Sequence, residues 1–154
     1  MFKVHKKLGY ALIALNYMRA KEEGTRTTAK ELAQHYSVPF DAVSRVLQNM
    51  MHVQIVASIQ GSQGGYCLAK DLKDVSFLEL VESVLGPVNI TQCISSKVVS
   101  CKSVDSCHVI EPIDRLNNEL KDFYSSLSLN TLLDRVHAKA IIETGCLETS
   151  ATLN

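Results

Sequence analysis

Apolar positions in the first fifty residues recur at helical spacing in three blocks. Leu8, Leu12, Leu15 and Met18, with Ala11 and Ala14 beside them, form a stripe that predicts a helix over 4–21. Glu22-Glu23-Gly24 ends it. Thr28, with Glu31 three residues on, is a capping-box pair opening a second, short helix that buries Leu32, Ala33 and Tyr36. Ser37-Val38 makes a tight turn. Pro39 suits the first turn of a third helix, where its missing N–H costs nothing. That helix runs to about His52 and buries Val43, Val46, Leu47 and Met50.

The period then changes. Gln54 to Gln60 is β-branched and strand-like, 61–65 is a glycine-rich turn, and Tyr66-Cys67-Leu68-Ala69 is a second strand. A short helix, a tight turn, an amphipathic helix and a glycine-tipped hairpin make a winged helix-turn-helix. Ser76 and Glu79 form another capping-box pair, opening a helix with Phe77, Leu80, Val81 and Val84 on its apolar face. Gly86-Pro87 stops that helix. From about His108 to Ser126 a long helix carries Ile110, Ile113, Leu116, Leu120, Phe123 and Leu127 in a seam close to heptad spacing, with Asn117 among the polar residues on its other side. Little sequence remains to cover such a seam, so it calls for a partner helix from a second subunit. A last helix, from Thr131 to about Glu143, carries Leu132, Leu133, Val136 and Ile141, and a frayed tail follows Gly145.

The fold expected is therefore mainly α with a small β wing. Residues 1–86 form a winged helix-turn-helix DNA-binding domain with a linking helix. Residues 87–107 form a cysteine loop, 108–144 the dimerisation and C-terminal helices, and 145–154 a tail.

Composition narrows the function. The chain has 154 residues, 46% of them hydrophobic, enough for one domain with a real core. No run of eighteen apolar residues predicts a membrane span, and the N-terminus lacks a signal-peptide core. A cytoplasmic protein is expected. Net charge is zero overall, but residues 1–70 carry nine Lys/Arg against four Asp/Glu, a net +5, and 71–154 carry seven against twelve, a net −5. The basic half suits a polyanion. No phosphate loop, nucleophile–base pair or cofactor motif marks an enzyme, and no small-molecule substrate is implied.

The helix faces name the DNA contacts. With Val43, Val46 and Leu47 turned inward, Pro39, Phe40, Asp41, Ser44 and Arg45 face out, and Gln48 lies one turn further along. Arg45 is the best base reader, because a guanidinium bonds guanine O6 and N7 together. An ion pair with Asp41, four residues earlier, is its competing role. Thr28 and Lys30 would contact phosphate, and Ser62, Gln63 and Gly64 at the wing tip the DNA backbone.

Three of the five cysteines, Cys93, Cys101 and Cys107, fall within fifteen positions of a segment with neither helical nor strand period. In a reducing compartment, clustered thiols read as metal ligands or redox switches rather than structural disulfides. Three thiolates on a wrapping loop can converge on one soft metal centre and leave one coordination site to a weaker ligand. Glu111, one helical turn after Cys107, His108 beside it, and His5 from a partner's first helix are the candidates for that ligand. A Cys₃His zinc site and a thiol–disulfide switch use the same residues and stay open.

Residues 1–135 resemble the bacterial winged-helix regulators of the IscR/NsrR type. The resemblance rests on Gly9-Tyr10-Ala11-Leu12, on Thr27 to Ala33, on Gly64-Gly65-Tyr66-Cys67-Leu68-Ala69, on the three-cysteine loop and on Ser128 to Leu133, in that order. It implies a homodimer on a double-stranded operator, with an iron–sulfur cluster, 2Fe–2S in preference to 4Fe–4S, beside the dimer interface. It also implies a sensor of redox state, nitric oxide or iron–sulfur status, with the cluster-free thiol-redox or zinc-stabilised regulator as the alternative. Where the family has a His three residues after its third cysteine, this chain has Ile110; where the family's wing has Arg, it has Gln60.

Overall fold

Leu8, Ala11, Ala14, Leu15 and Met18 are buried on one face of α1 (Lys6–Arg19) in the computed structural model, which describes residues 4–61, 64–91 and 106–134. The helix covers the whole stripe but is shorter than the expected 4–21. The His5 side chain caps it by accepting from the Lys7 amide, and the chain leaves helical geometry at Ala20. α1 packs against α3 (Phe40–His52) and α4 (Phe77–Leu85), and α2 (Ala29–Tyr36) also packs against α3.

The helix-turn-helix follows its local signals. Thr28 Oγ1 accepts from the Glu31 amide at 3.1 Å, and Glu31 Oε2 accepts from the Thr28 amide at 3.3 Å, so the capping box is closed in both directions. Ser37 takes the left-handed conformation at φ +52°, which turns the chain. Pro39 is the cap of α3 rather than a residue of its first turn. Its ψ of 126° is extended, and its carbonyl accepts from Val43. Val43, Val46, Leu47 and Met50 are buried, as the spacing predicts.

β1 (Val56–Ile59) and β2 (Gly65–Leu68) pair antiparallel, with Val56 opposite Leu68 and Ile59 opposite Gly65. The wing also joins the segment leading into α2. Thr27 and Tyr66 exchange backbone hydrogen bonds of 2.7 and 2.8 Å. A Cβ on Gly65 would stand 2.9 Å from the Thr27 carbonyl oxygen, so only glycine permits this approach.

Ser76 caps α4 through the Glu79 amide, but the expected reciprocal bond is replaced: the Glu79 carboxylate accepts from Lys70 Nζ at 2.9 Å. A cation just beyond the wing competes successfully for that carboxylate. The long helix α5 (Ile110–Ser126) packs on α4, where Phe77 meets Tyr124 edge to face at 5.2 Å. α6 (Leu129–Asp134) then returns to the winged-helix core, where Leu129 and Leu133 are buried with residues of α1, α3 and α4. The rest of the expected last helix and the tail lie outside the described residues.

Asn117 corrects one expectation. It is the buried residue of α5, 1% exposed, while Leu116 and Phe123 of the expected seam are 50% and 60% exposed. Its Oδ1 accepts from the Ile90 amide at 3.1 Å, and its Nδ2 has no partner among the described residues. A backbone donor arriving from twenty-seven residues away fixes this side chain inward.

Candidate DNA interface and cysteine loop

The α2 face carrying Lys30 and Gln34 lies beside the start of α3 at Phe40. Thr28 and Lys30 stand at the start of α2, Phe40 and Asp41 at the start of α3, and Ser37 between them. Lys30, Pro39, Phe40, Asp41, Arg45 and Gln48 are exposed, and Thr28 and Ser44 are half-buried. The i,i+4 ion pair of Arg45 with Asp41 is not formed, and Arg45 makes no ion pair among the described residues. Its guanidinium is therefore available to a base or a phosphate. In the wing, Gln60 is exposed and Gly64 half-buried; Ser62 and Gln63 lie outside the described residues.

A charged hub holds α1 and α2 in register beneath this surface. Lys21 Nζ and the Tyr17 hydroxyl both donate to Glu31 Oε1, at 2.6 and 2.7 Å. The ammonium of Lys21 holds the Glu31 carboxyl below the usual carboxylate range, and the same carboxylate pushes the Tyr17 hydroxyl up. A carboxyl with a lowered folded pKa adds stability above its ordinary pKa and loses it as pH falls through the folded value. Tyr17, His35 and Tyr36 stack beside the hub, with centroids 4.7 to 6.0 Å apart.

The cysteine loop is anchored at both ends. On the entry side, Val88 N donates to Glu82 of α4, Lys121 of α5 donates to Asn89 Oδ1, and Ile90 N donates to Asn117 of α5. On the exit side, half-buried Cys107 and exposed His108 lead within three residues into α5. Cys93 and Cys101 lie outside the described residues, which contain no grouping of metal-ligating side chains. Of the candidate fourth ligands, Glu111 is exposed on the first turn of α5, 3.9 Å from Arg115; His108 is exposed; and His5 caps α1 through Nδ1, leaving Nε2 outward. The donor chemistry, three cysteine thiols within fifteen positions with Cys107 half-buried, fits iron–sulfur ligation. Cys67 sits on β2, its thiol 4.0 Å from the Ala57 carbonyl oxygen, apart from this loop in sequence.

Sequence reasoning missed Asn117 and Lys121 as parts of the loop's anchorage. Helical spacing assigns them to a polar face, and nothing local signals their partners at Ile90 and Asn89.

A family model described as "Rrf2: Iron-dependent Transcriptional regulator" matches residues 4–135. An rrf2-like HTH-type transcriptional regulator of Rhodobacter capsulatus is 33% identical over 110 residues, covering 68% of this chain and 71% of that one. The HTH-type transcriptional regulator NsrR of Bacillus subtilis is 27% identical over 133 residues, covering 84% and 87%. Among solved structures, the global cysteine regulator CymR of B. subtilis superposes with a TM-score of 0.63 at 20% identity, covering 88% of this chain and 98% of that one. IscR of T. potens gives 0.61 at 18% identity, covering 90% and 91%. These two likenesses bear on the fold. No helix among the described residues is long and apolar enough to cross a membrane.

Proposed function

The chain belongs to the Rrf2 family and is a winged-helix transcriptional regulator, and from that premise we propose that it binds operator DNA as a homodimer whose affinity is set by an iron–sulfur cluster on Cys93, Cys101 and Cys107. The observation that carries the sensing role is the anchorage of the cysteine loop. Asn117 and Lys121 hold its entry to α5, and Cys107 leads into the same helix. A change within the loop therefore acts on α5 from two points about two and a half turns apart.

When bound, the cluster supplies a centre sensitive to oxidant, nitric oxide or iron supply. Glu111, His108 and a partner's His5 are the side chains within the chain's means to complete its ligand set. The protein's part is a population shift. Ordering the loop against α4 and α5 favours one spacing and tilt of the two α3 helices, which must match half-sites roughly 34–36 Å apart or a multiple of it. Thr28 and Lys30 at α2 and Gly64, with Gln60, Ser62 and Gln63, at the wing take phosphate and groove walls. Pro39, Phe40, Asp41, Ser44, Arg45 and Gln48 take the major groove. The cytoplasm, where thiols remain reduced, is the compartment this chemistry needs.

Anaerobic purification tests the cofactor. The wild-type protein is expected to be brown and to contain iron and acid-labile sulfide, and Cys93→Ala, Cys101→Ala and Cys107→Ala should each lose the colour. Retention of colour by all three variants would reject the ligand set. Zinc in colourless protein, or a disulfide between two of these cysteines, would reassign it to the other chemistries. For the reading helix, Arg45→Ala should weaken operator binding by roughly 1–3 kcal/mol and relax one base position per half-site. An unchanged footprint and affinity would remove Arg45 from the interface.

A further inference from the structure

Phe40 is the large hydrophobic residue that the helix-turn-helix leaves in water. It is the first residue of α3 and 52% exposed, although Val43 and Leu47 on the same helix are fully buried. Its ring borders an open recess between one face of α2, the turn and the start of α3, lined by Lys30, Ala33, Gln34 and Val38. The recess is apolar where Ala33, Val38 and Phe40 meet and carries a cation, Lys30, on its α2 side. That cation makes no ion pair among the described residues.

In a helix-turn-helix the first residues of the second helix face base edges, while the first helix crosses the sugar–phosphate backbone. Lys30 is then on the phosphate side and Phe40 on the base side. The edges of the four bases in the major groove offer hydrogen-bond donors, acceptors and one apolar group, the 5-methyl of thymine. A phenyl ring has no conventional hydrogen-bonding group for a donor or an acceptor, so the apolar methyl is its best match. We propose that Phe40, backed by Val38 and Ala33, reads a thymine 5-methyl group in each half-site, and is a specificity-determining residue of this regulator. The inference rests on the DNA-binding reading of this surface and is independent of the cluster.

The test needs an operator. One can be selected from a random duplex pool with the full-length protein and then remade with each thymine in turn replaced by deoxyuridine, which deletes the methyl and nothing else. One thymine per half-site should respond. Its replacement should weaken binding about fourfold for the wild type, the effect of one buried methyl-sized group, and about sixteenfold when both half-sites are changed. Phe40→Ala should bind thymine and deoxyuridine operators equally, and Phe40→Leu should keep part of the difference. Phe40 is half in solvent, so both variants should keep the wild-type melting curve. A methyl effect undiminished in Phe40→Ala, or no thymine whose methyl matters, would overturn the assignment while leaving the regulator reading intact. Failure to select any sequence would overturn both.

Discussion

Replacing Leu116 and Phe123 together by Glu should turn the protein into a monomer and weaken operator binding by about 100-fold or more. Val109 at the N-cap of α5 and Leu116 and Phe123 within it are spaced seven apart, on one line, and are 57%, 50% and 60% exposed. The neighbouring side of the helix, about 100° round, is satisfied within the chain, with Asn117 buried and Tyr124 against Phe77. A strict seven-residue line of large apolar side chains in water is the pattern a helix pair would cover, and in the proposed homodimer it is the seam. The charge on the second half of the chain is consistent with this: a net −5 disfavours contact with DNA there. Two carboxylates on each copy, facing each other across such a seam, would be both desolvated and mutually repelling. Binding to one half-site at a time forfeits the effective concentration that linkage provides, a factor on the order of 10² to 10⁴. Sedimentation gives the mass, and circular dichroism checks that the helices survive, which they should because neither side chain is buried. A dimeric double variant with wild-type operator affinity would move the interface elsewhere.

What could be seen in the sequence divides along the range of the interactions. The Thr28–Glu31 box, the turn at Ser37 and the buried face of α3 depend on residues three or four apart, and each forms as its spacing predicts. The Ser76–Glu79 box has the same local pattern, yet closes in one direction only, because Lys70 comes from outside the pattern to take the carboxylate. On α5 a single apolar line through Ile110, Ile113, Leu116, Leu120, Phe123 and Leu127 merges two faces. The structure separates a side that lies on α4 from the line that stays in solvent, and the residue that decides between them is a buried polar one, Asn117, whose partner Ile90 cannot be found by periodicity. The thiols of the loop are legible as chemistry because soft ligands clustered in a segment without secondary-structure period have few other uses. The anchorage of the loop's entry to α5 rests on Asn89, Asn117 and Lys121, ordinary surface residue types that make these bonds only through tertiary contact.

Leu129→Ala should destabilise the winged-helix domain itself, by about 2–5 kcal/mol, although residue 129 follows the long helix in the chain. Spacing alone starts the last helix at Thr131 and places Leu132, Leu133, Val136 and Ile141 on its face, leaving Leu129 in a connector. In the structure α6 begins at Leu129, whose side chain is wholly buried in the core that contains Leu15 and Leu47. The backbone explains the difference. Phe77 N donates to Leu127 O at 2.7 Å, Leu129 N to Val75 O at 2.9 Å and Asn130 N to Leu72 O at 3.0 Å. The segment after α5 is thereby bound to the segment before α4, and Leu129 is carried inward with it. The Arg19–Asp134 ion pair at 2.6 Å adds little, since the Asp134 side chain is 59% exposed and exposed pairs contribute about 0–1 kcal/mol. Truncating a fully enclosed leucine leaves a cavity in a core that cannot collapse around it, so its cost far exceeds that of the ion pair. Leu132→Ala, at a position that spacing ranks above Leu129 but that is only half-buried, should cost clearly less. Urea unfolding of the three proteins, followed at helical wavelengths, orders them: wild type, Leu132→Ala, then Leu129→Ala. If Leu129→Ala unfolded within about 0.5 kcal/mol of wild type, a size typical of surface substitutions, α6 would not be part of the core. The C-terminal end of α5 would then no longer be tied to the winged-helix core, and in the proposed mechanism a tilt started at the cysteine loop would lack that second point on which to turn α3.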